Sequence, residues 1–229
     1  MVHGVIFDFD GTLVDNIDAD KFCLRAVQEA CNAFCSTEEF VDAAVEEIMN
    51  FHSLIDDGKK NPLFMHQFRL KNTINRFGIP WEQRYLIIYQ EMMLKKIKPF
   101  KGVNKLLASI KNRDIKLGII SNAYDSNEQH KRIKCSGLEP YFDEIVISGE
   151  VGYYKPYPEI FHIALKRLGL SAEKTIYIGD IEKYDIEGAI AAGMQSILLN
   201  RNRTYFSALA NHTCHSINDL QKYIDKLIA

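Results

Sequence analysis

Hydrophobic positions follow two different periods along this chain. Near the amino end, Val5-Ile6-Phe7 is a continuous apolar run, β-branched and aromatic, as expected of a strand buried on both faces. From Asp15 to about Lys98 such runs disappear and apolar residues recur at helical spacing. Phe22, Ala26, Ala30 and Phe34 follow one another every four residues, and Val41, Val45, Ile48 and Ile55 form a second stripe. Ser36 followed by Glu39 is a capping-box pattern that opens the second of these helices. The polar stretch Asp56 to Pro62 reads as a loop. A third helix carries Phe64, Phe68, Ile74 and Phe77 and stops at Gly78 before Pro80. A fourth runs from Trp81 to Lys96, with Tyr85, Ile88 and Met92 on one face.

Beyond Gly102 the pattern alternates. A helix from Val103 to about Lys111 precedes a buried strand at Ile115 to Ile120, and further strands are expected at Glu144–Ser148, Thr175–Gly179 and Gln195–Leu199. The intervening helices end at Gly137, Gly169 and Gly193, residues suited to helix C-caps. Ser216 with Asp219 starts a last amphipathic helix. Strand-helix alternation predicts an α/β fold, a Rossmann-like parallel sheet flanked by helices. Residues 1–15 and 98–229 would form this core, with the helical bundle of residues 16–97 inserted after the first strand.

Composition narrows the class. The 229 residues are 47% hydrophobic and 25% charged, as in an ordinary globular protein, and the net charge of -2 leaves no electrostatic footprint for nucleic acid or an anionic membrane. No apolar run approaches the ~20 residues of a membrane span. The chain enters its first strand without a leader, and its five cysteines suggest no disulfide framework, so a reducing cytoplasm is the expected compartment. Cys214 between His212 and His215 is too isolated a trio for zinc.

The residues with chemical potential fall at the carboxyl ends of the expected strands. Asp8 and Asp10 end the first, with Gly11-Thr12 following, and Gly11 lets the chain turn so that the two carboxylates converge. Ser121-Asn122 end the second strand, Lys155 follows the third, and Gly179-Asp180 end the fourth, with Asp185 five residues on. Taken singly each has an ordinary reading: Ser121 as a helix cap, Lys155 as a solvated lysine, Asp180 as a turn residue, Asp185 as a cap. Four strands sharing the placement point instead to a ligand crevice at that edge. Carboxylates in excess of bases imply a hard divalent cation, of which Mg²⁺ takes oxygen ligands. A lysine, a serine hydroxyl and the amides of a helix starting after Ser121 suit a phosphate. A carboxylate not wholly committed to the metal can attack phosphorus, while a second protonates the leaving oxygen and then activates water.

In motif order and strand-end context, the sequence resembles the phosphatase branch of the haloacid dehalogenase superfamily. Asp8-Phe9-Asp10-Gly11-Thr12-Leu13 resembles its first motif, Ile120-Ser121-Asn122 its second, Lys155-Pro156 its third, and Gly179-Asp180 with Asp185-Ile186-Glu187-Gly188-Ala189 its fourth. The resemblance implies Asp8 as nucleophile and Asp10 as general acid/base. It implies Mg²⁺ held by Asp8, Asp180 and the main-chain carbonyl of Asp10, with Asp185 reaching it indirectly. Ser121, Lys155 and backbone amides near Phe9 and Asn122 would hold the phosphoryl group. The helical insert resembles the family's smaller cap, and Tyr184 departs from the asparagine that many members place there.

Family dehalogenases lack an acid at the position of Asp10, which implies a leaving oxygen that needs a proton. A phosphomutase reading is disfavoured because Asp20 stands where those members carry a histidine, and a non-catalytic scaffold would be expected to lose Asp8, Asp10 or Lys155. The expected partner is a small phosphorylated metabolite; Arg69, Lys71, His66, His52 and Lys59 of the insert are candidates to contact it, although basic residues on helices more often form a solvated face. Neither the substrate's identity nor the oligomeric state is legible.

Overall fold

The structure, a computed structural model, describes residues 2–56, 64–203 and 207–228. In chain order its elements are β1 Gly4–Phe7, α1 Asn16–Cys31, α2 Thr37–Asp56, α3 Met65–Arg76, α4 Gln83–Lys96, α5 Val103–Lys111, β2 Lys116–Ser121 and α6 Ser126–Cys135. They continue with β3 Glu144–Ile147, α7 Ser148–Val151, α8 Pro158–Leu168, β4 Thr175–Gly179, α9 Glu187–Ala191, β5 Gln195–Leu199, β6 His212–Cys214 and α10 Ile217–Leu227. The chain divides into two compact units, Met1–Asp15 with Lys98–Ala229, and Asn16–Ile97.

The first unit is built on a six-stranded sheet of order β3-β2-β1-β4-β5-β6, parallel throughout. β1 lies at its centre, with Val5 paired to Leu117 on one side and to Ile176 on the other. Val5, Ile6 and Phe7 are fully buried because helices cover both faces. On one face Ile6, Ile120, Val146, Phe161 and Tyr177 share a cluster, and Tyr177 meets Phe161 edge-on at 4.9 Å between centroids. The order reverses beside β1: the chain builds outward through β2 and β3 on one side, then through β4, β5 and β6 on the other. Such a reversal opens a crevice at the carboxyl ends of the central strands. Chain leaving and re-entering this unit is paired, since Val14 bridges to Pro99 and the Phe100 amide donates to the Leu13 carbonyl at 2.9 Å.

Strand positions follow the sequence closely, with small displacements. β2 extends through Ser121, and Ser148 begins a short helix instead of ending β3. The sixth strand, β6, was not expected. His212 stacks on Tyr223 at 3.6 Å, Cys214 is buried, and His215 Nδ1 lies 3.0 Å from the Asn200 carbonyl, so the three side chains serve separate contacts. Gly137, Gly169 and Gly193 each take a positive φ at or just after a helix end.

Among the described residues the second unit shows the expected four helices, yet two of them bury a different face. In α1 the buried residues are Ala19, Cys23, Leu24, Val27, Gln28 and Cys31, whereas Phe22 is 43% exposed and Phe34 lies beyond the helix, fully exposed. A repeat of four drifts by ~40° per step around a helix of 3.6 residues per turn, so no single face can hold it. In α2 the buried residues include Phe40, Ala43, Ala44 and Phe51, and Val45 faces out. The capping box forms, with the Ser36 amide donating to Glu39 Oε2 at 2.8 Å and the Glu39 amide to Ser36 Oγ at 3.2 Å. Of the loop expected over residues 56–62, Asp56 instead ends α2; residues 57–62, Lys59 among them, and the side chains of His52 and Ile55 lie outside what the structure describes.

Arg69, one of the candidate substrate contacts, is 1% exposed and ties four helices of the described residues together. From α3 its Nη1 and Nη2 donate to the two carboxylate oxygens of Asp20 in α1, at 2.8 and 2.7 Å. Its Nε donates to the Ala44 carbonyl of α2 at 3.0 Å, and the Tyr89 hydroxyl of α4 donates to Asp20. A buried guanidinium with four of its five donors spent on Asp20, Ala44 and Tyr89 holds the bundle together instead of reaching outward.

Candidate active site

The segments after β1, β3 and β4 bring Asp8, Lys155, Asp180 and Asp185 to one place. Asp8, directly after β1, is 5% exposed; its Oδ1 accepts from Lys155 Nζ at 2.6 Å, while its Oδ2 is buried without a hydrogen-bond partner. Lys155 also donates to Asp185 Oδ1 at 2.7 Å and to the Tyr177 hydroxyl at 3.1 Å. An ammonium has three donors, so Lys155 is fully committed to protein acceptors here. Asp185 does not cap a helix: its Oδ2 accepts from the Ile181 amide at 3.0 Å. Asp180 receives the Thr12 hydroxyl at 3.3 Å.

Oxygens of Asp8, Asp180 and Asp185 all lie within 4.8 Å of one another. Burial first, and then the charges of Asp185 and Asp180, push the Asp8 carboxyl well above its ordinary range despite Lys155. Burial and Asp185 likewise push Asp180 to about 6. Two glycines make room for this crowding: a Cβ at Gly11, whose φ is +83°, would collide with the Asp180 carboxylate, and one at Gly179 with Asp185. An all-oxygen donor set, one orphaned carboxylate oxygen and carboxyls driven upward by mutual repulsion fit a hard divalent cation.

Asp10 is held by partners of its own. Arg132 Nη2 pairs with Asp10 Oδ1, Arg132 Nη1 reaches Oδ2 at 3.2 Å, and Gln129 Nε2 donates to Oδ2 at 2.8 Å. Ser121, 1% exposed, accepts from the same Gln129 Nε2 at 2.9 Å. The helix after Ser121 does not start there: α6 begins at Ser126, and Asp125 caps it by accepting the Glu128 amide at 3.0 Å. Asn122 binds the Lys155 backbone at both ends, donating to its carbonyl at 3.0 Å and accepting from its amide at 2.8 Å. The side chain thus sets where Lys155 stands.

Several site residues went unmarked in the sequence. Tyr177 carried one signal, because a tyrosine in a fully buried strand needs a partner for its hydroxyl. Gln129 and Arg132, three apart on a largely polar helix, carried a weaker one. Arg201, just beyond β5, places its guanidinium 3.3 Å from the Phe100 ring centroid and bonds the Gly11 carbonyl. Lys155 is therefore one of several cations around these carboxylates.

Known proteins resemble this chain along most of its length. A family model described as haloacid dehalogenase-like hydrolase matches residues 5–199. A glyceraldehyde 3-phosphate phosphatase from Methanocaldococcus jannaschii is 28% identical over 226 residues, covering 98% of this chain and 96% of that protein. One of the same description from Methanothermobacter thermautotrophicus is 32% identical over 214 residues, covering 89% and 88%. Among solved structures, a HAD-hydrolase from Bacillus subtilis bound to magnesium superposes with a TM-score of 0.83 at 22% identity, covering 98% of this chain and 99% of that one.

Proposed function

We propose that this chain, which belongs to the haloacid dehalogenase-like hydrolase family, is a Mg²⁺-dependent phosphatase that hydrolyses a small phosphomonoester through a phosphorylated Asp8. One observation carries the reading: Asp8 has one oxygen anchored by Lys155 and the other buried, unpartnered and beside two further carboxylates. An anchored carboxylate with one free oxygen is oriented for attack and does not need to shed solvent first.

In the first step a lone pair on Asp8 Oδ2 forms the bond to phosphorus. The bond to the leaving oxygen breaks, and that oxygen takes the Asp10 proton, giving the free alcohol and an acyl phosphate. In the second step Asp10 accepts a proton from water as the water oxygen attacks phosphorus, and the pair of the breaking bond returns to Asp8. One water is consumed and inorganic phosphate leaves. Ser121 donates to the phosphoryl oxygens. Lys155 holds Asp8 against rotation, and Asn122 holds Lys155. Asp8, Asp180 and the Asp10 carbonyl would hold the cation, which supplies positive charge against the phosphoryl group and the crowded carboxylates.

The substrate is taken to be a short phosphorylated sugar, because both archaeal relatives carry that activity in their names along nearly their whole length. Residues 16–97 are taken to act as a cap that selects it. The test is phosphate release from p-nitrophenyl phosphate and glyceraldehyde 3-phosphate, with Mg²⁺ and with a chelator. Mg²⁺-dependent release is expected. No release from either, or release undiminished by the chelator, would overturn the reading.

A further inference from the structure

Two side chains on α6 join the Asp10 carboxyl to the Ser121 hydroxyl. We infer that Gln129 and Arg132 are positioning residues that fix the direction of the Asp10 carboxyl and aim the Ser121 proton at the transferring phosphoryl group. The inference rests on the phosphatase reading above.

The hydrogen-bond inventory leaves little freedom. Gln129 is 2% exposed, and both protons of its amide nitrogen are taken, one by Asp10 Oδ2 and one by Ser121 Oγ. Its Oε1 accepts from Arg132 Nη1 at 2.8 Å, which forbids the flipped amide. Ser121 Oγ is thereby an acceptor toward Gln129. Among the described residues its own proton meets no acceptor, so it is left to donate elsewhere. Arg132 closes the ring by gripping both oxygens of Asp10, a fork that fixes the plane of a carboxyl as well as its place.

The two residues are one helical turn apart and share a face. That face is held by the Asp125 cap and by Ile133, which is fully buried. The network spans 119 and 122 residues of sequence, joining the loop after β1 to the helix after β2. A purely structural tie would have the same bonds, so the difference must be sought in the chemistry. Loss of a tie slows every substrate alike. Loss of aim at Asp10 harms chiefly substrates whose leaving oxygen needs a proton.

The experiment compares Arg132→Met and Gln129→Met, each alone and combined with Asp10→Asn, on p-nitrophenyl phosphate and an alkyl phosphate. The reading is the alkyl-to-aryl ratio of kcat/KM, which does not depend on the fraction of protein folded. Arg132→Met should lower the ratio by about tenfold or more, part of the ~10²–10⁴ that positioned proton transfer supplies. With Asp10→Asn already present, Arg132→Met should leave the ratio unchanged. Gln129→Met should also weaken competitive inhibition by inorganic phosphate several-fold, because Ser121 is no longer aimed. Equal losses on both substrates, or a ratio change that persists without Asp10, would overturn the inference and leave the phosphatase reading standing. An unmutated enzyme inert on both substrates would overturn that reading, and this inference with it.

Discussion

Arg69→Met separates a structural arginine from a substrate-binding one. The side chain is 1% exposed and its Asp20 partner 25% exposed. Removing it strands a mostly buried carboxylate, to which among the described residues the Tyr89 hydroxyl still donates, and leaves the Ala44 carbonyl one donor short. Breaking a buried ion pair by removing one partner costs ~3–5 kcal/mol, and the quarter exposure of Asp20 places this one near the lower end, at about 3 kcal/mol. Trp81 is the sole tryptophan and lies in the helical unit, so its fluorescence follows that unit during urea unfolding. Asp20 supplies a second signature. Burial pushes its carboxyl up, but the hydrogen bonds from Arg69 and Tyr89 together with the charges of Arg69 and His66 outweigh it, and the net shift is down. The pair's contribution is therefore present above about pH 4 and is lost as the pH falls through the depressed value. In Arg69→Met that acid-side slope should disappear, and Asp20→Leu added to it should restore part of the loss. A variant destabilised by less than about 1 kcal/mol, with KM sharply raised, would show that Arg69 binds substrate.

Other consequences can be tested with the same material. Asp180 is raised to about 6 against about 3.9 unfolded, so its contribution is full below about pH 4 and lost as the pH rises through 6. Chelated protein should thus melt lower at pH 7 than at pH 5. Mg²⁺ and Ca²⁺ should both reverse this, by about 2.7 kcal/mol at a hundredfold excess over the dissociation constant; a chelated protein no less stable at pH 7 would refute it. Ca²⁺ should nevertheless inhibit competitively with Mg²⁺, because it accepts bidentate carboxylates and can occupy both Asp8 oxygens; full activity in Ca²⁺ would count against this. Gly11→Ala should cost about 1–2 kcal/mol for its positive φ and weaken Mg²⁺ binding as its methyl displaces Asp180, which calorimetry would detect. Stiffening the return crossing at Lys98-Pro99 should change kcat and KM together if residues 16–97 close over substrate; unchanged kinetics would refute the cap.

The sheet was legible because parallel strands buried on both faces are written as unbroken apolar runs, and four such runs end in the residues of the site. β6 was not, since His-Thr-Cys is three residues long and lies at an edge, where only one neighbour constrains it. Helical faces were harder. Phe22 and Phe34 look like core by size, but the smaller Ala19, Cys23 and Val27 let helices approach and occupy the buried side. Within the site, Asp8, Lys155, Asp180 and Asp185 were legible by residue type and strand-end position. Gln129, Arg132 and Arg201 were not, because their meaning lies in partners 119 to 190 residues away. The hold on the Asp10 carboxylate comes from two of those same unseen partners, Gln129 and Arg132.

The most direct test of the account is whether Asp8 becomes phosphorylated. Enzyme mixed with a labelled phosphomonoester and Mg²⁺, then quenched in acid within one turnover, should carry label that hydroxylamine releases and that peptide mapping assigns to Asp8. Asp8→Asn should carry none and should turn over no substrate while melting as a folded protein. Phosphate release from an enzyme that never carries label, or an Asp8→Asn variant within about tenfold of full activity, a barrier change of only ~1.4 kcal/mol, would contradict it.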